Sequence, residues 1–193
     1  MPIQYPQGII QEHLSTRKAA GLFDVSHMGR FIIQGKDALP FLQHVLSNNA
    51  AGLETGESQY TLIPNASGGA IDDAYLYRFY DHEYLLVVNA ANRFKDWEHL
   101  RSHTADFQDL TLLDRTDEIA MLSLQGPLSK NLLLSIIDDG PLPEPMRNRL
   151  SRVRIKGADV LLARTGYTGE PICFELFVHR PDTHTVWDLL IEG

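Results

Sequence analysis

Ser58-Gln59-Tyr60-Thr61-Leu62-Ile63, then Asn65-Ala66-Ser67-Gly68-Gly69, then Asp73-Ala74-Tyr75-Leu76-Tyr77-Arg78-Phe79, then Asp81-His82, then Glu83-Tyr84-Leu85-Leu86-Val87-Val88-Asn89: this stretch decides the fold. Three apolar runs, rich in aromatic and β-branched residues, are separated by short clusters of Asn, Asp, Gly and Ser. That is turn chemistry between strands, and it predicts three consecutive antiparallel strands.

The two turns also set an expected register. Centring the second on Asp81 places Asp73 opposite Asn89. Centring the first between Ala66 and Ser67 places Tyr60 opposite Asp73. Directly opposed residues share a sheet face, so Tyr60, Asp73 and Asn89 would form one row. Asp72 would point to the other face, because side chains alternate along a strand. A slip of one residue would exchange the two aspartates. A ring, a carboxylate and an amide in one row suit a flat heterocycle with N–H donors: the ring stacks, the carboxylate accepts and the amide does both. The same residues also read as an ordinary strand tyrosine, a turn-flanking aspartate and a helix N-cap asparagine, and spacing alone favours that plainer account.

Working outward, Gly8 to Ala20 reads as a helix closed by Gly21 in the C′ role. Met28 to Gln34 reads as a strand, and Asp37 as the cap of a helix over 38–46, with Pro40 harmless in its first turn. Ala90 to His103 reads as an amphipathic helix presenting Phe94, Trp97 and Leu100. Strands are expected at Leu110–Leu113 and Ile119–Leu124, and a helix from Pro127 to about Ile137. Lys156-Gly157 joins a hairpin of Val153–Ile155 and Val160–Arg164. Phe174–Val178 is a further strand, and Thr183–Ile191 a last helix. Hairpins interleaved with helices, without regular strand–helix alternation, make the class α+β with antiparallel sheets and packed helices. The proline-rich run from Asp138 to Pro145 is the expected boundary between a first region over 1–140 and a second over 141–193.

Composition excludes several functions. Net charge is −8, from 17 Lys and Arg against 25 Asp and Glu, so no basic surface is expected to meet nucleic acid. No apolar run reaches the roughly 18 residues of a membrane span. Met1 to Ile10 lacks the basic start and apolar core of a signal peptide, and a cytoplasmic location is expected. One cysteine, Cys173, permits neither an internal disulfide nor a cysteine-cluster metal site. The eight histidines lack metal-ligand spacing, so no metal is expected.

Two further stretches carry potential chemistry. In Arg164-Thr165-Gly166-Tyr167-Thr168-Gly169-Glu170, two glycines bracket an aromatic and a hydroxyl, so backbone can approach a ligand closely. The glycine spacing and lysine of a phosphate loop are missing, and a tight loop explains the same residues. In Asp24-Val25-Ser26-His27-Met28, adjacent serine and histidine side chains diverge, which argues against a nucleophile–base pair and for a loop entering a strand.

Together, Leu22-Phe23-Asp24-Val25-Ser26-His27-Met28, Asn65-Ala66-Ser67-Gly68-Gly69 with Asp72-Asp73, Leu124-Gln125-Gly126-Pro127 and Arg164 to Glu170 resemble the aminomethyltransferases (T-proteins) of the glycine cleavage system, in order and in spacing. The resemblance implies a folate-binding fold of α+β and β domains. It implies tetrahydrofolate as cosubstrate, the lipoylated H-protein as partner, and transfer of a lipoyl-bound aminomethyl carbon to the folate with release of ammonia. Asp73 matches the key carboxylate. Tyr60 and Asn89 match pterin-side positions, Tyr167 an aromatic near the folate, Glu175 a pterin-binding glutamate and Met28 an apolar contact. The interval from Glu170 to Glu175 is one residue longer than the family's. Family members are much longer, so the resemblance also implies a missing C-terminal β domain and a missing N-terminal piece. Self-association through faces made for the missing parts is then expected. A folate-dependent demethylase and a folate-binding assembly protein without turnover are the alternatives within the superfamily.

Overall fold

The computed structural model describes residues 6–193; the first five residues of the stretch read as lacking a signal lie outside them. In chain order the elements are α1 (Ile9–Lys18), β1 (Gly21–Asp24), β2 (Gly29–Gln34), α2 (Ala38–Val45), β3 (Glu57–Pro64), β4 (Ala70–Tyr80), β5 (Glu83–Val88), α3 (Arg93–Ser102), β6 (Thr111–Asp114), β7 (Ile119–Gln125), α4 (Ser129–Ile136), β8 (Ile137–Asp139), β9 (Leu150–Ile155), β10 (Ala158–Ala163), β11 (Cys173–His179) and α5 (Thr183–Glu192). The class is α+β, as the hairpins and helices predict.

The chain forms two compact units. One comprises 1–25, 120–147 and 151–193; the other comprises 26–119 and 148–150. The units do not follow the expected division at residue 140. The proline-rich run lies wholly inside the first unit, where Ile137–Asp139 forms a strand and pairs with β9.

The first unit holds a six-stranded sheet ordered β1-β7-β11-β10-β9-β8. Gly21 does not cap α1. It opens β1, antiparallel to β7 with Gly21 opposite Gln125, and a Cβ there would lie 2.4 Å from the Thr16 hydroxyl. Glycine is needed at this point for close approach and not for a left-handed turn. Lys156 and Gly157 both have positive φ, 48° and 82°, the geometry a two-residue hairpin demands. The core of this unit gathers Leu122, Leu124, Ile155, Val160, Leu162, Phe174, Leu176 and Val178 from the sheet with Leu133, Val186 and Leu190 from α4 and α5.

The second unit holds a five-stranded sheet ordered β3-β4-β5-β2-β6. Helix α2 buries Ala38, Phe41, Leu42 and Val45, the one-faced stripe expected of an amphipathic helix. These pack with Phe31, Ile33, Ile63, Ala74, Leu76, Leu86, Val88 and Leu100. Asp37 does not cap α2 with its side chain; Oδ2 instead accepts the amides of Gln108 and Asp109, both at 2.9 Å. On α3, Trp97 packs against Phe31 with ring centroids 4.9 Å apart, and Leu100 is buried, but Phe94 is 76% exposed. The buried stripe of α3 carries Asp96 and Leu100, so the expected face is rotated and a carboxyl group occupies it.

The β3–β4–β5 meander forms as expected, with one correction of register. Between β4 and β5, Ala74 pairs with Val88 and Tyr75 with Val87. One position further on, Asp73 faces Asn89, as predicted. Between β3 and β4, Leu62 faces Asp73, and Tyr60 faces Tyr75, not Asp73. The causes are the connecting loop and the irregularity beside it, each contributing one residue. Asn65 accepts the amide of Gly69 and the amide and hydroxyl of Ser67 on Oδ1, at 2.9, 3.0 and 2.7 Å. Its own N–H donates to the Gly69 carbonyl at 2.8 Å. A five-residue loop results, and a register shift follows it between Ile63 and Pro64. The slip amounts to two residues, so every side chain keeps its face.

Candidate functional site

Three strands of the second unit end where the polar residues collect. Asp73 stands exposed near the start of β4, and Asp72, next to it, is 8% exposed on the core side. Asn89 follows the last residue of β5 and ties the two together. Its Nδ2 donates to Asp73 Oδ1 at 2.6 Å, to the Asp73 carbonyl at 3.3 Å and to Asp72 Oδ1 at 3.0 Å. Its backbone N–H donates to Asp72 Oδ2 at 3.3 Å. Asn89 is therefore a clamp between aspartates and not a helix cap. Position 92 precedes α3, and its Nδ2 donates to Asp72 Oδ1 at 2.9 Å.

Tyr60, 50% exposed, lies on the Asp73 face, diagonal to it, with its ring 6.4 Å from that of Tyr75. Its hydroxyl pKa is raised by partial desolvation, then by the charge of Asp73, a hydrogen bond to it and the charge of Asp72. Gly29 pairs with Val88, so one position further on Met28 comes opposite Asn89. Met28 is half-buried, and its carbonyl accepts Arg30 Nη1 at 2.5 Å. The structure thus brings four sequence-predicted residues, Met28, Tyr60, Asp73 and Asn89, to one end of one sheet.

The electrostatics separate the two aspartates. Burial alone would raise the pKa of Asp72, but hydrogen bonds from Asn89, Asn92, Asp96 and the Asp73 backbone outweigh it and hold the group below the usual carboxylate range. Asp96, fully buried on α3, goes the other way: burial, a hydrogen bond to Asp72 and the Asp72 charge raise its pKa to about 7. Asn92 and Asp96 escaped the sequence reading. Their signal was present in the spacing, since 92, 96 and 100 stand one turn apart and place polar groups on the stripe that buries Leu100.

Tyr167 and Glu175 belong to the first unit, and they meet there. Glu175, 3% exposed on β11, accepts the Tyr167 hydroxyl at 3.2 Å on Oε1 and the Thr165 hydroxyl on Oε2. Thr165 was not singled out in advance. Beside them, Thr168 donates to Gln125 Oε1 at 2.6 Å, and Arg147 Nη2 donates to the Gly166 carbonyl at 2.7 Å. Arg164 anchors the loop from below. Its Nε lies 2.6 Å from Glu144 Oε1, and its other nitrogens donate to the carbonyls of Pro171 and Cys173 at 2.7 and 3.3 Å. A cleft of about 490 Å³ opens over Arg147, Gly166, Tyr167, Gly169, Glu170 and Pro171. Its lining mixes a cation, a carboxylate, an aromatic ring and close backbone, which can receive a polar ligand with a flat portion.

Solved structures define the class first. The glycine cleavage system aminomethyltransferase T from Bartonella henselae superposes with a TM-score of 0.85 at 30% identity, over 99% of this chain and 50% of that one. The heterotetrameric sarcosine oxidase from Corynebacterium sp. U-96 shares the fold, with a TM-score of 0.66 at 19% identity over 91% of this chain and 84% of that one. The protein is thus an α+β chain with the fold of T-proteins. The sequence profile of the GCVT N-terminal domain matches residues 1–193, and the chain belongs to that family. Aminomethyltransferases from Thermus thermophilus and Deinococcus deserti are 45% and 46% identical to it, over 100% and 99% of this chain and 54% and 52% of theirs. The chain spans about half the length of the curated relatives it matches. Among the described residues no helix is long and apolar enough to cross a membrane.

Proposed function

We propose that this chain forms the folate-handling part of an aminomethyltransferase of the glycine cleavage system. Tetrahydrofolate would be the acceptor, and the lipoylated H-protein would deliver the aminomethyl group. The observation that carries this reading is the exposed carboxylate of Asp73, oriented by Asn89 and flanked by Tyr60, in a chain matched along its whole length by the family. A carboxyl group with acceptor oxygens turned outward suits a reduced pterin, whose ring edge presents N–H groups. The folate would supply a nucleophilic ring nitrogen that becomes more positive as it attacks the methylene carbon, while the carbon's bonds to the departing ammonia and to the lipoyl sulfur break and the arm is left as the dithiol. Asp73 offsets that charge and holds the ring at a fixed distance, both of which favour the transition state. Asn89 fixes the carboxylate's orientation, Tyr60 offers a surface for stacking, and Met28 an apolar contact. Glu175 and Tyr167, which meet within the first unit, take the pterin-side roles that the resemblance implies for them. Asp73 need not move a proton, because the departing ammonia can carry it. The location proposed for this chemistry is the cytoplasm.

The test uses a form of the protein as long as its curated relatives, supplied with aminomethylated H-protein and tetrahydrofolate. Release of ammonia together with methylenetetrahydrofolate supports the reading. Folate binding without turnover would refute it in favour of a non-catalytic binding protein. Turnover of a methylamine substrate in place of the H-protein would refute it in favour of a demethylase.

A further inference from the structure

Behind the Asp72–Asn89–Asp73 cluster lies a group with no task in the proposed chemistry. Asp96 is fully excluded from solvent. Neither of its carboxyl oxygens receives a hydrogen bond, although its backbone N–H is spent in the usual way on the Asn92 carbonyl at 2.9 Å. A buried carboxylate with no donor is a costly state, and such groups take up a proton instead. A protonated carboxyl has one O–H to give. The neighbour able to take it is Asp72, an ionised carboxylate already accepting Asn89 and Asn92.

We propose that Asp96 is a positioning residue, a neutral carboxylic acid that donates its proton to Asp72 and so locks the Asn89 clamp that aims Asp73. The links from Asp72 onward are in place and lie within one unit; the proposed proton supplies the first. Asp96 donates to Asp72; Asp72 accepts both nitrogens of Asn89; the side-chain nitrogen of Asn89 reaches Asp73 at 2.6 Å. Four acceptor directions are available on a carboxylate. Asn89 and Asn92 occupy three on Asp72, and the Asp96 proton shares the remaining side of the carboxylate with the Asp73 backbone. Loss of that proton would put two like charges side by side in a buried place. Asp72 would then turn from its neighbours, and Asn89 would lose its fixed orientation. The charged groups acting on Asp96 are Asp72 and Asp73 from β4, both favouring the proton, and Lys95 on its own helix, opposing it. The significance for turnover rests on the role proposed above for Asp73; the proton itself does not.

The experiment therefore has two separable readouts. The first is the side-chain NH2 signals of Asn89 and Asn92 in nuclear magnetic resonance spectra of the full chain, followed from about pH 5 to about pH 9, around the raised value of Asp96. In the wild type both signals should move together with a midpoint near 7. Asp96→Asn keeps a donor toward Asp72 but cannot ionise, so the movement should vanish while the neutral-pH positions stay. Asp96→Leu removes the donor and should shift both signals at every pH. If the wild-type signals do not titrate, or if they titrate unchanged in Asp96→Asn, the proposal is wrong whatever the protein catalyses. The wild-type titration alone decides the point should a variant fail to fold.

The second readout is aminomethyl transfer in the form as long as the curated relatives. Wild-type kcat should fall on the alkaline side of neutrality. Asp96→Asn should hold kcat within about threefold and flatten that limb, whereas Asp96→Leu should lose about tenfold in kcat with little change in KM, the scale of a lost orienting contact. Equal losses in the two variants would overturn the positioning role. Absence of transfer in every variant, with the titration intact, would sink the reading of function and leave the shared proton standing.

Discussion

Asp72 and Asp73 are neighbours in sequence, and replacing each by asparagine should produce opposite phenotypes. Asp72 is buried and accepts three hydrogen bonds, from Asn89 N, Asn89 Nδ2 and Asn92 Nδ2. Asp72→Asn turns one acceptor oxygen into an NH2 group facing other donors, so one or two of these bonds must go. Hydrogen bonds to a charged group contribute about 1.5–3 kcal/mol each, which sets the loss at about 1.5–6 kcal/mol. Asp73 is exposed and accepts one short bond from Asn89, so Asp73→Asn should cost no more than about 0.5–1 kcal/mol. Urea unfolding read from Trp97 in a Trp187→Phe background isolates the unit in question, because Trp97 packs on Phe31 in its core. Turnover is measured on the form as long as the curated relatives. There Asp73→Asn should lose at least about 10²-fold in kcat, the scale of a positioned electrostatic group. If Asp73→Asn destabilises more than Asp72→Asn, the assignment of faces is wrong. If Asp73→Asn is stable and turns over normally, the carboxylate has no part in the reaction.

Other consequences follow from the first unit. Arg164→Ala would leave Glu144 with Lys130 alone and take the donor from the buried Cys173 carbonyl, at a cost of about 3 kcal/mol in thermal unfolding. Burial pushes the Glu144 pKa up, but the hydrogen bond and charge of Arg164, then those of Lys130, pull it below the usual value. The stability this pair contributes is therefore present above the ordinary glutamate pKa of 4.5 and lost as pH falls through the depressed one; Arg164→Ala should flatten that acid limb, and an unchanged limb would refute the pairing. At Gly166, φ is +154° and an added Cβ would lie 2.2 Å from Cys173 Sγ and 2.7 Å from its Cβ. Gly166→Ala should cost about 2 kcal/mol or more, and Cys173→Ala in the same chain should restore part of it; full tolerance of Gly166→Ala would show that the loop runs elsewhere. Burial pushes the Cys173 thiol up to about 11, so a thiol reagent near pH 8 should label it only as fast as the unit opens; stoichiometric labelling within the mixing time would contradict that burial.

What could be read from sequence, and what could not, divides along a physical line. Hairpins announced themselves through turn chemistry: Lys156-Gly157, Asp81-His82 and Asn65 to Gly69 all lie where strands reverse. Strand β1 did not. Four residues at a sheet edge carry little pattern of their own, and Gly21–Asp24 is extended because β7 offers it a partner. The α3 face was misplaced for a related reason. Apolar spacing alone favours Phe94, yet tertiary structure turns the Asp96 side inward, where Asp72 can share its proton. A buried carboxyl group is invisible to a hydrophobic pattern until its partner is known.

The register of β3 on β4 carries the most instructive error. Side-chain parity is written into a strand residue by residue, since alternation is a property of the backbone itself. Register is not; it is set by the loop and the bulge beside it. Asn65 gathers the Ser67 and Gly69 amides and moves the pairing by one residue, to Pro64 opposite Ala70, and the irregularity between Ile63 and Pro64 moves it by another, to Ile63 opposite Asp72. The resulting slip is two residues. An even slip moves Tyr60 from opposite Asp73 to diagonal, still within reach of an aromatic side chain, and leaves Asp72 and Asp73 on their own faces. An odd slip would have exchanged them, placing Asp73 against the core and Asp72 in the open. The inference about which aspartate faces solvent therefore depended on the parity of the loop and its bulge. The inference about which residues share a sheet end depended only on the strands, which is why it held through the error in pairing.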